Sequence, residues 1–320
     1  MSRPVSPGAE GLLNKYYPVL DHGFISLVDY MGNDESIEHA ARLSYGKGTR
    51  SRNKTRGLLR YLKRHRHTTP SEMVELKFHI AMPIFVARQW VRHRTASLNE
   101  YSGRYSLMPD VTFSPESWRI QSKTNNQGSS DEVATSTAID YKRDILTNET
   151  FRNYKYMLEN DVAKELARID LPLSAYTQWY WKMDLHNLLH FLSLRCDPHA
   201  QHEIKVYADI IAAIVKEGWP LMYEAWVDYQ LSSVSLSRME RNLVATMLLE
   251  GKNFTTVSQE EMEALGLTTR EVAELKSKLD ATQWTPDVSS LEDNHVLPSE
   301  ISQEEAFSRL FPNVTMDEDS

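Results

Sequence analysis

Apolar residues recur along the chain with two periods, and the switches between them mark out the elements. Phe24 to Met31 (FISLVDYM) is β-branched and apolar enough for a strand. Asp34, Glu35 and Ser36 then offer caps for a helix running through Ile37, Ala40, Ala41 and Leu43. Gly46 to Gly57 (GKGTRSRNKTRG) is a basic loop, and Leu58 to His67 reads as a helix with a basic outer face. Thr69-Pro70-Ser71-Glu72 is a helix-start signal: Thr69 can cap, Pro70 can take the first helical position, and Glu72 can bond back to the cap. Leu76, Phe78 and Ile80 alternate with Lys77, His79 and Ala81, which predicts a strand. Pro83 opens a helix, PIFVARQWVRHR, with Ile84, Ala87 and Val91 on one face. Gln89 and Arg92, three apart, point together on another face.

The second half continues the pattern. Glu116 to Ser136 is polar and poor in core residues, which predicts a mobile loop. Phe151, Tyr154, Leu158 and Val162 form the stripe of a helix that should stop before Pro172. Tyr176 to Lys182 is aromatic and alternating, another strand. Asp184 can cap the next helix, where Leu185, Leu188, Leu189 and Leu192 form the buried stripe and His186 and His190 sit one turn apart beside it. Asp197-Pro198 restarts a helix through Ala200, Ile204, Tyr207, Ala208 and Ile211, ending near Gly218. After about Tyr229 come capped, charged helical segments such as Thr269 to Leu279, then an acidic end, MDEDS, expected to fray. Three regions result: a Pro/Gly/Ser-rich extension over 1–22, a main domain over 23–229, and a partly helical extension over 230–320.

Composition narrows the function classes. The 320 residues are 41% hydrophobic and 10% aromatic, enough to build a real core in one large domain or two ordinary ones. The net charge of -8 argues against a general nucleic-acid binder, whose footprint is a basic domain. Cys196 is the only cysteine, so no intramolecular disulfide and no cysteine metal cluster is possible, and a reducing compartment fits. No run is long and apolar enough to span a bilayer, and the N-terminus lacks an apolar signal core, so a soluble, cytoplasmic protein is expected.

Against this acidic background one stretch stands out, Arg92-His93-Arg94-Thr95-Ala96-Ser97-Leu98-Asn99-Glu100-Tyr101-Ser102-Gly103-Arg104-Tyr105. Arginine forks match phosphate and carboxylate oxygens in pairs. Glu100, when ionised, can accept from sugar hydroxyls or ring N–H groups, or neutralise an arginine. The cluster fits a small anionic, ring-bearing ligand, or a solvated basic face with internal ion pairs. No Gly-rich phosphate loop is present, so side chains must hold any nucleotide, with Arg92, Arg94, Arg104, Arg168 and Arg195 as the available donors. His186 and His190, or His199, His202 and Glu203, have metal-ligand chemistry, but no HExxH pattern accompanies them; a polar helix face or contact with a cofactor accounts for them equally. Cys196 beside Arg195 is either an acidified nucleophile or a small buried residue. Ser97 and Ser102 lack a nucleophile elbow. The RHR run could also contact RNA or DNA backbone, which leaves a non-catalytic nucleotide or RNA binder as the alternative reading.

The stretch resembles the signature of the flavin-dependent thymidylate synthases, RHRxxSxNExSxRY, matched from Arg92 to Tyr105 at every specified position. ARQW at 87–90, ARIDLP at 167–172 and LRCDPHAQHE at 194–203, similar to the family's LRxDxHAQxE, extend the resemblance over roughly Phe24 to Tyr229. Ser71 departs from it, since the family often has an aromatic there in a pattern like HxTPFE. The resemblance implies an α+β fold, a mixed or antiparallel sheet flanked by helices. It implies methylation of dUMP to dTMP, with methylenetetrahydrofolate as one-carbon donor and FAD, reduced by NADPH, as the source of hydride. It implies a homotetramer with shared active sites, and no nucleic-acid, membrane or metal partner. Carried over residue by residue, Thr69, Arg92, His93, Arg94, Glu100, Asp184, Leu185, His186 and His190 would bind FAD. Gln89, Arg92, Glu100, Tyr101, Ser102, Gly103, Arg104, Arg168 and Arg195 would bind dUMP, with Arg195 catalytic and Cys196 dispensable.

Overall fold

The computed structural model describes residues 3–44, 54–122, 128–134, 137–252, 257–279 and 295–313. The chain divides into two compact units, residues 1–226 with 295–320, and residues 227–294.

The first unit is built on a five-stranded sheet in the order β1-β2-β3-β7-β4. Its strands are β1 (Tyr16–Val19), β2 (Gly23–Met31), β3 (Glu75–Pro83), β4 (Ser97–Glu100) and β7 (Tyr176–Asp184). Every neighbouring pair is antiparallel, so the fold is α+β with an antiparallel sheet. Side chains alternate between the two faces of a strand. Leu76, Phe78 and Ile80 of β3 and Trp179, Trp181 and Met183 of β7 are buried on one face. Three helices cover that face: α5 (Ile84–Trp90), α8 (Leu185–Arg195) and α9 (His202–Gly218). Trp90 holds them together, stacked on Phe191 (ring centroids 4.8 Å apart) and edge-on to Trp179, Trp181 and Tyr207. Each ring so buried contributes on the order of 2 kcal/mol.

The other face is polar along β3 and β7, with Lys77, His79, Gln178, Tyr180 and Lys182 in register. Toward β1 and β2 it is covered by the helix Gln303–Leu310. Ala306 and Leu310 are buried there with Tyr16, Phe24, Ala81 and Tyr176, and Phe307 and Phe311 pack on them. The separation of 1–22 and 230–320 from the main domain therefore differs from the structure. Tyr16–Val19 is an edge strand, and Ile301 bridges to Tyr16. The apolar side chains at both ends of the chain close the half of the sheet that the main domain leaves open.

Local signals explain the remaining elements. The helix α2 (Asp34–Leu43) is capped by Asn33 rather than Asp34, whose carboxylate instead accepts from the N–H groups of Leu221 and Met222 (2.9 and 3.1 Å). The helix α3 (Thr55–Arg64) follows, and the basic loop before it lies largely outside the described residues. In α4 (Thr69–Glu72) Thr68 precedes the first turn and no side chain caps it, so the expected Thr69–Glu72 box does not form. The expected loop 116–136 contains a two-stranded ribbon, Arg119–Gln121 (β5) with Ser129–Val133 (β6), while 123–127 and 135–136 are outside the described residues. The helix α6 (Thr137–Glu159) buries Phe151 and Tyr154 as its stripe requires. The helix α9 begins at His202, five residues after Asp197, because Asp197 closes a turn on His199 instead.

The second unit is helical. Helices over Arg238–Glu250, Gln259–Ala264 and Thr269–Lys278 surround Leu243, Val257, Met262, Leu267, Val272 and Leu275. All three begin with capping boxes, at Ser237, Ser258 and Thr268, each reciprocated by a glutamate three residues on. Lys278 donates to Glu240 across the unit (2.7 Å).

Candidate active site

The motif Arg92–Tyr105 is not a helix running into a loop. The helix α5 stops at Trp90, and Arg92 follows it in a turn closed by the Arg92 N–H on the Gln89 carbonyl (3.4 Å). Ser97 to Glu100 then pairs with β7 as the sheet's edge strand. Pairing with a nine-residue strand outweighs the helical pattern of PIFVARQWVRHR, so Gln89 and Arg92 do not share a helix face. Strand alternation next splits the motif. Leu98 and Glu100 stand opposite Trp181 and Trp179, on the helix-covered face, while Asn99 stands opposite Tyr180 on the polar face.

One group of the expected residues gathers where α5 and α8 end. Arg195, in the last turn of α8, donates from Nε to His93 Nε2 (3.0 Å), and the His93 ring lies edge-on to Phe191 (4.8 Å). Burial first, then the charges of Arg195 and His190, push His93 down to about 4. His93 is thus neutral at pH 7, an acceptor at Nε2 with its proton on Nδ1. The guanidinium of Arg195 is held in one plane, and its terminal nitrogens have no partner among the described residues. Gln89 Oε1 is buried with no hydrogen-bond partner among the described residues, an acceptor that a ligand donor or a water would satisfy. Arg92 and Arg94 are exposed and likewise without ion-pair partners among the described residues.

The N-terminal end of α8 supplies more. Asp184 caps it, accepting from the Asn187 backbone N–H (2.9 Å) and side-chain amide (2.6 Å). His186 is half-buried and His190 exposed, on the face predicted. Leu185 is wholly buried and gives its N–H to the Val74 carbonyl (2.8 Å), so it anchors the helix and offers no side chain to a ligand. The helix α4, whose first residue is the exposed Thr69, packs beside α8. His186 is shifted down by burial, then by Lys63, which itself is pushed down to about 8 by burial. Lys63 was not singled out by sequence, since its place on the basic face of α3 looks solvated.

A second group lies at the other end of β4. Tyr101 closes the next loop, donating from its hydroxyl to the Leu107 carbonyl (2.5 Å), while its N–H bonds to the Gln178 carbonyl (2.8 Å). Inside the loop the Ser102 carbonyl accepts from Tyr105 and Ser106 (3.1 Å each). Gly103 is buried there: a Cβ would fall 2.5 Å from Met108 Sδ and 3.0 Å from Arg168 Cδ. The absent side chain therefore lets Arg168, half-buried and without a polar partner among the described residues, lie against the loop. Arg104 is exposed, pairs with Glu165 (3.2 Å) and lies over the Tyr105 ring (5.7 Å). Glu100 accepts from the buried Thr177 hydroxyl (2.9 Å). Asn99, Glu100 and Tyr101 line a cavity of about 280 Å³ with His79, Gln178, Trp179 and Tyr180. Of these His79, bonded to Gln178 (2.8 Å), carried no sequence signal beyond its place in an alternating strand. No hydrogen bond or ion pair among the described residues joins this group to the Arg195 group.

The other candidates separate from both. Glu203 is buried at the start of α9 and bound by Arg119 and by Gln201 (2.8 Å), and His199 is exposed and bonded to Asp197 (2.9 Å). Neither joins His186 and His190 in a ligand set. Cys196 is buried, and burial pushes its thiol well above the usual range, the opposite of an activated nucleophile.

Comparison with known proteins gives the family. Residues 26–221 match the family described as thymidylate synthase complementing protein. The flavin-dependent thymidylate synthase of Wolbachia pipientis wMel is 45% identical over 282 residues, 87% of this chain and 97% of the relative. That of Ehrlichia ruminantium (strain Gardel) is 50% identical over 251 residues, 77% and 84% of the two chains. Among solved structures, the UMP/dUMP methylase PolB from Streptomyces cacaoi bound with 5-Br dUMP is similar, with a TM-score of 0.60 and 30% identity, covering 67% of this chain and 98% of its own. With a matching family model over most of the main unit and relatives aligned over most of both chains, the chain belongs to the flavin-dependent thymidylate synthase family.

Proposed function

We propose that this enzyme makes dTMP from dUMP, taking its one-carbon unit from methylenetetrahydrofolate and its reducing equivalents from NADPH, with FAD as the flavin, and that it works in the cytoplasm as a homotetramer. The observation that carries the reading is the oriented Arg195–His93 pair, to which the buried Gln89 carbonyl, unpartnered among the described residues, adds a second polar group.

The residues present fit a flavin dinucleotide and a nucleotide. Unpaired arginines at 92, 94 and 168 suit phosphates, and the buried Gln89 oxygen suits a ring or ribose donor. Thr69, Arg92, His93, Arg94, Glu100, Asp184, His186 and His190 would hold FAD, with Leu185 fixing the helix that carries His186 and His190 and that Asp184 caps. Bound FAD would supply the hydride. Gln89, Arg92, Glu100, Tyr101, Ser102, Gly103, Arg104, Arg168 and Arg195 would hold dUMP.

Arg195 acts through its charge. A fixed guanidinium beside the uracil stabilises negative charge at N3 and O4, which raises electron density at carbon 5 for attack on the one-carbon unit. His93 keeps that guanidinium in place, and as a neutral acceptor it does so without a competing positive charge. No protein nucleophile is required, consistent with the buried thiol of Cys196. The two residue groups lie at opposite ends of β4 with no hydrogen bond or ion pair between them among the described residues, which supports sites completed by a second subunit.

The purified protein should be yellow, with a flavin absorption spectrum, and should oxidise NADPH in a dUMP-dependent reaction that yields dTMP when methylenetetrahydrofolate is supplied. A colourless protein that takes up no FAD and shows no such oxidation overturns the proposal.

A further inference from the structure

We infer that the C-terminal segment 295–313 is a positioning element for the nucleotide loop, acting through Phe311 on Tyr101. The inference rests on the proposed role of Glu100–Arg104 in holding dUMP.

The segment lies well beyond residue 221, where the match to the family model ends. It nevertheless folds back across the sheet. Ile301 gives its N–H to the Tyr16 carbonyl (2.9 Å), and the Arg309 guanidinium donates to the carbonyls of Leu20 and Asp21 (3.3 and 2.8 Å). The Arg309 carbonyl bonds in turn to His22 Nδ1 (2.9 Å). These contacts set the last turn of the helix Gln303–Leu310 over β1 and β2 and deliver two rings toward the polar face. Phe307 meets His79 (5.8 Å) in the wall of the 280 Å³ cavity. Phe311 meets Tyr101 (6.1 Å, planes at 53°).

Tyr101 converts that contact into loop geometry. One side of its ring belongs to the cluster of Met108, Phe151, Tyr154 and Ala167. Phe311 packs on it from the other apolar cluster, so Tyr101 is clamped between the two. Its hydroxyl is the bond that ties position 101 to Leu107. The span so closed contains Ser102, Gly103 and Arg104 and rests on Arg168. Without Phe311 the ring gains rotational freedom, and the loop loses the register that brings its hydroxyl, backbone and arginine to one ligand. An aromatic pair of this kind is worth up to about a tenfold change in an equilibrium.

The test uses the full-length holoenzyme. In Phe311→Ala the KM for dUMP should rise about tenfold with kcat within about twofold of the parent. FAD absorbance should be unchanged, and the thermal midpoint should fall by no more than the few degrees that a half-buried ring is worth. Phe311→Tyr should restore the parental KM. Amide exchange at Tyr105 and Ser106, whose N–H groups close the loop on Ser102, should quicken in Phe311→Ala. If Phe311→Ala does not fold, Phe311→Leu keeps the apolar volume without the ring, and the same exchange measurement decides. Unchanged KM and unchanged exchange in a parent that converts dUMP overturn the inference, as does a KM rise matched by equal losses of kcat and stability. A parent that binds no flavin and converts no dUMP overturns instead the functional reading on which it rests.

Discussion

Lowering the pH should release the C-terminal segment from α9, with His295 setting the size of the effect. The imidazole is 2% exposed, bonded through Nδ1 to the Tyr223 hydroxyl (2.7 Å) and stacked on Trp226 (6.0 Å). Its Nε2 faces Asp209 Oδ1 at 3.9 Å, and Cys196 completes the cluster. Asp209 is already paired with Lys205 (2.7 Å), which leaves little negative charge for an imidazolium. Burial, then the charges of Lys205 and Lys216, push His295 from 6.5 down to about 4. A detached segment takes up a proton at the ordinary value, whereas the docked one resists until about 4. The docked state is therefore at full strength above pH 6.5 and weakens as pH falls toward 4. At 1.36 kcal/mol per unit, the loss is about 3 kcal/mol. Asp209 works in the opposite sense, because burial raises its carboxyl and favours its protonation in the folded state. So does Asp34, raised to about 6 by burial. A comparison with His295→Asn removes these shared contributions while keeping a partner for Tyr223. The assay is amide exchange over 295–313, with Trp226 fluorescence, between pH 7 and 4.5. The parent should lose most of the 3 kcal/mol relative to the variant over that range. Equal pH slopes in the two proteins would refute the argument that His295 is held neutral by its surroundings.

Two further substitutions test the site. Gly103→Ala should raise the KM for dUMP and cost about 1–3 kcal/mol of stability, because its Cβ would lie 2.5 Å from Met108 Sδ and 3.0 Å from Arg168 Cδ; kinetics and thermal unfolding on one preparation read both. Arg195→Ala should lower kcat by roughly 10²–10³-fold, the scale of a lost charge-stabilising donor, whereas Cys196→Ala should keep most activity; a folded but inactive Cys196→Ala enzyme would contradict a mechanism without a protein nucleophile.

Much of the first unit was legible in sequence because its signals are local. The alternation of Leu76, Phe78 and Ile80, the aromatic alternation of Tyr176–Lys182, the Asp184 cap and the leucine stripe of α8 all stand where the pattern puts them. Errors arose where a long-range partner outweighed a local preference. Asp34 is a good cap residue, but two backbone donors from Leu221 and Met222 claim its carboxylate. Ser97–Glu100 has little strand character, and becomes a strand because β7 offers it an open edge. The return of Ile301 and Phe307 to β1 and β2 has no local signature, since it depends on apolar surface that the other end of the chain leaves uncovered.

The same contrast bears on how the motif works. As a string, Arg92–Tyr105 looks like one contiguous binding surface. As an edge strand it is two surfaces, because successive side chains of β4 point to opposite faces. Four extended residues also set its ends roughly 13 Å apart at about 3.3 Å per residue. That is longer than a pyrimidine ring. The RHR end and Ser102 to Arg104 of one copy therefore serve different active sites, so that Arg92 and Arg195 of one copy would meet the dUMP held by Ser102 to Arg104 of another. Arg195 extends the first group through His93, and Arg168 extends the second through Gly103. With one charge-bearing partner at each end of a rigid spacer, the strand fixes the separation of the two residue groups. A hydride and a one-carbon unit must meet at one uracil ring, and docking a second copy's Ser102 to Arg104 against the RHR end would close that gap, which is the physical case for the proposed shared site.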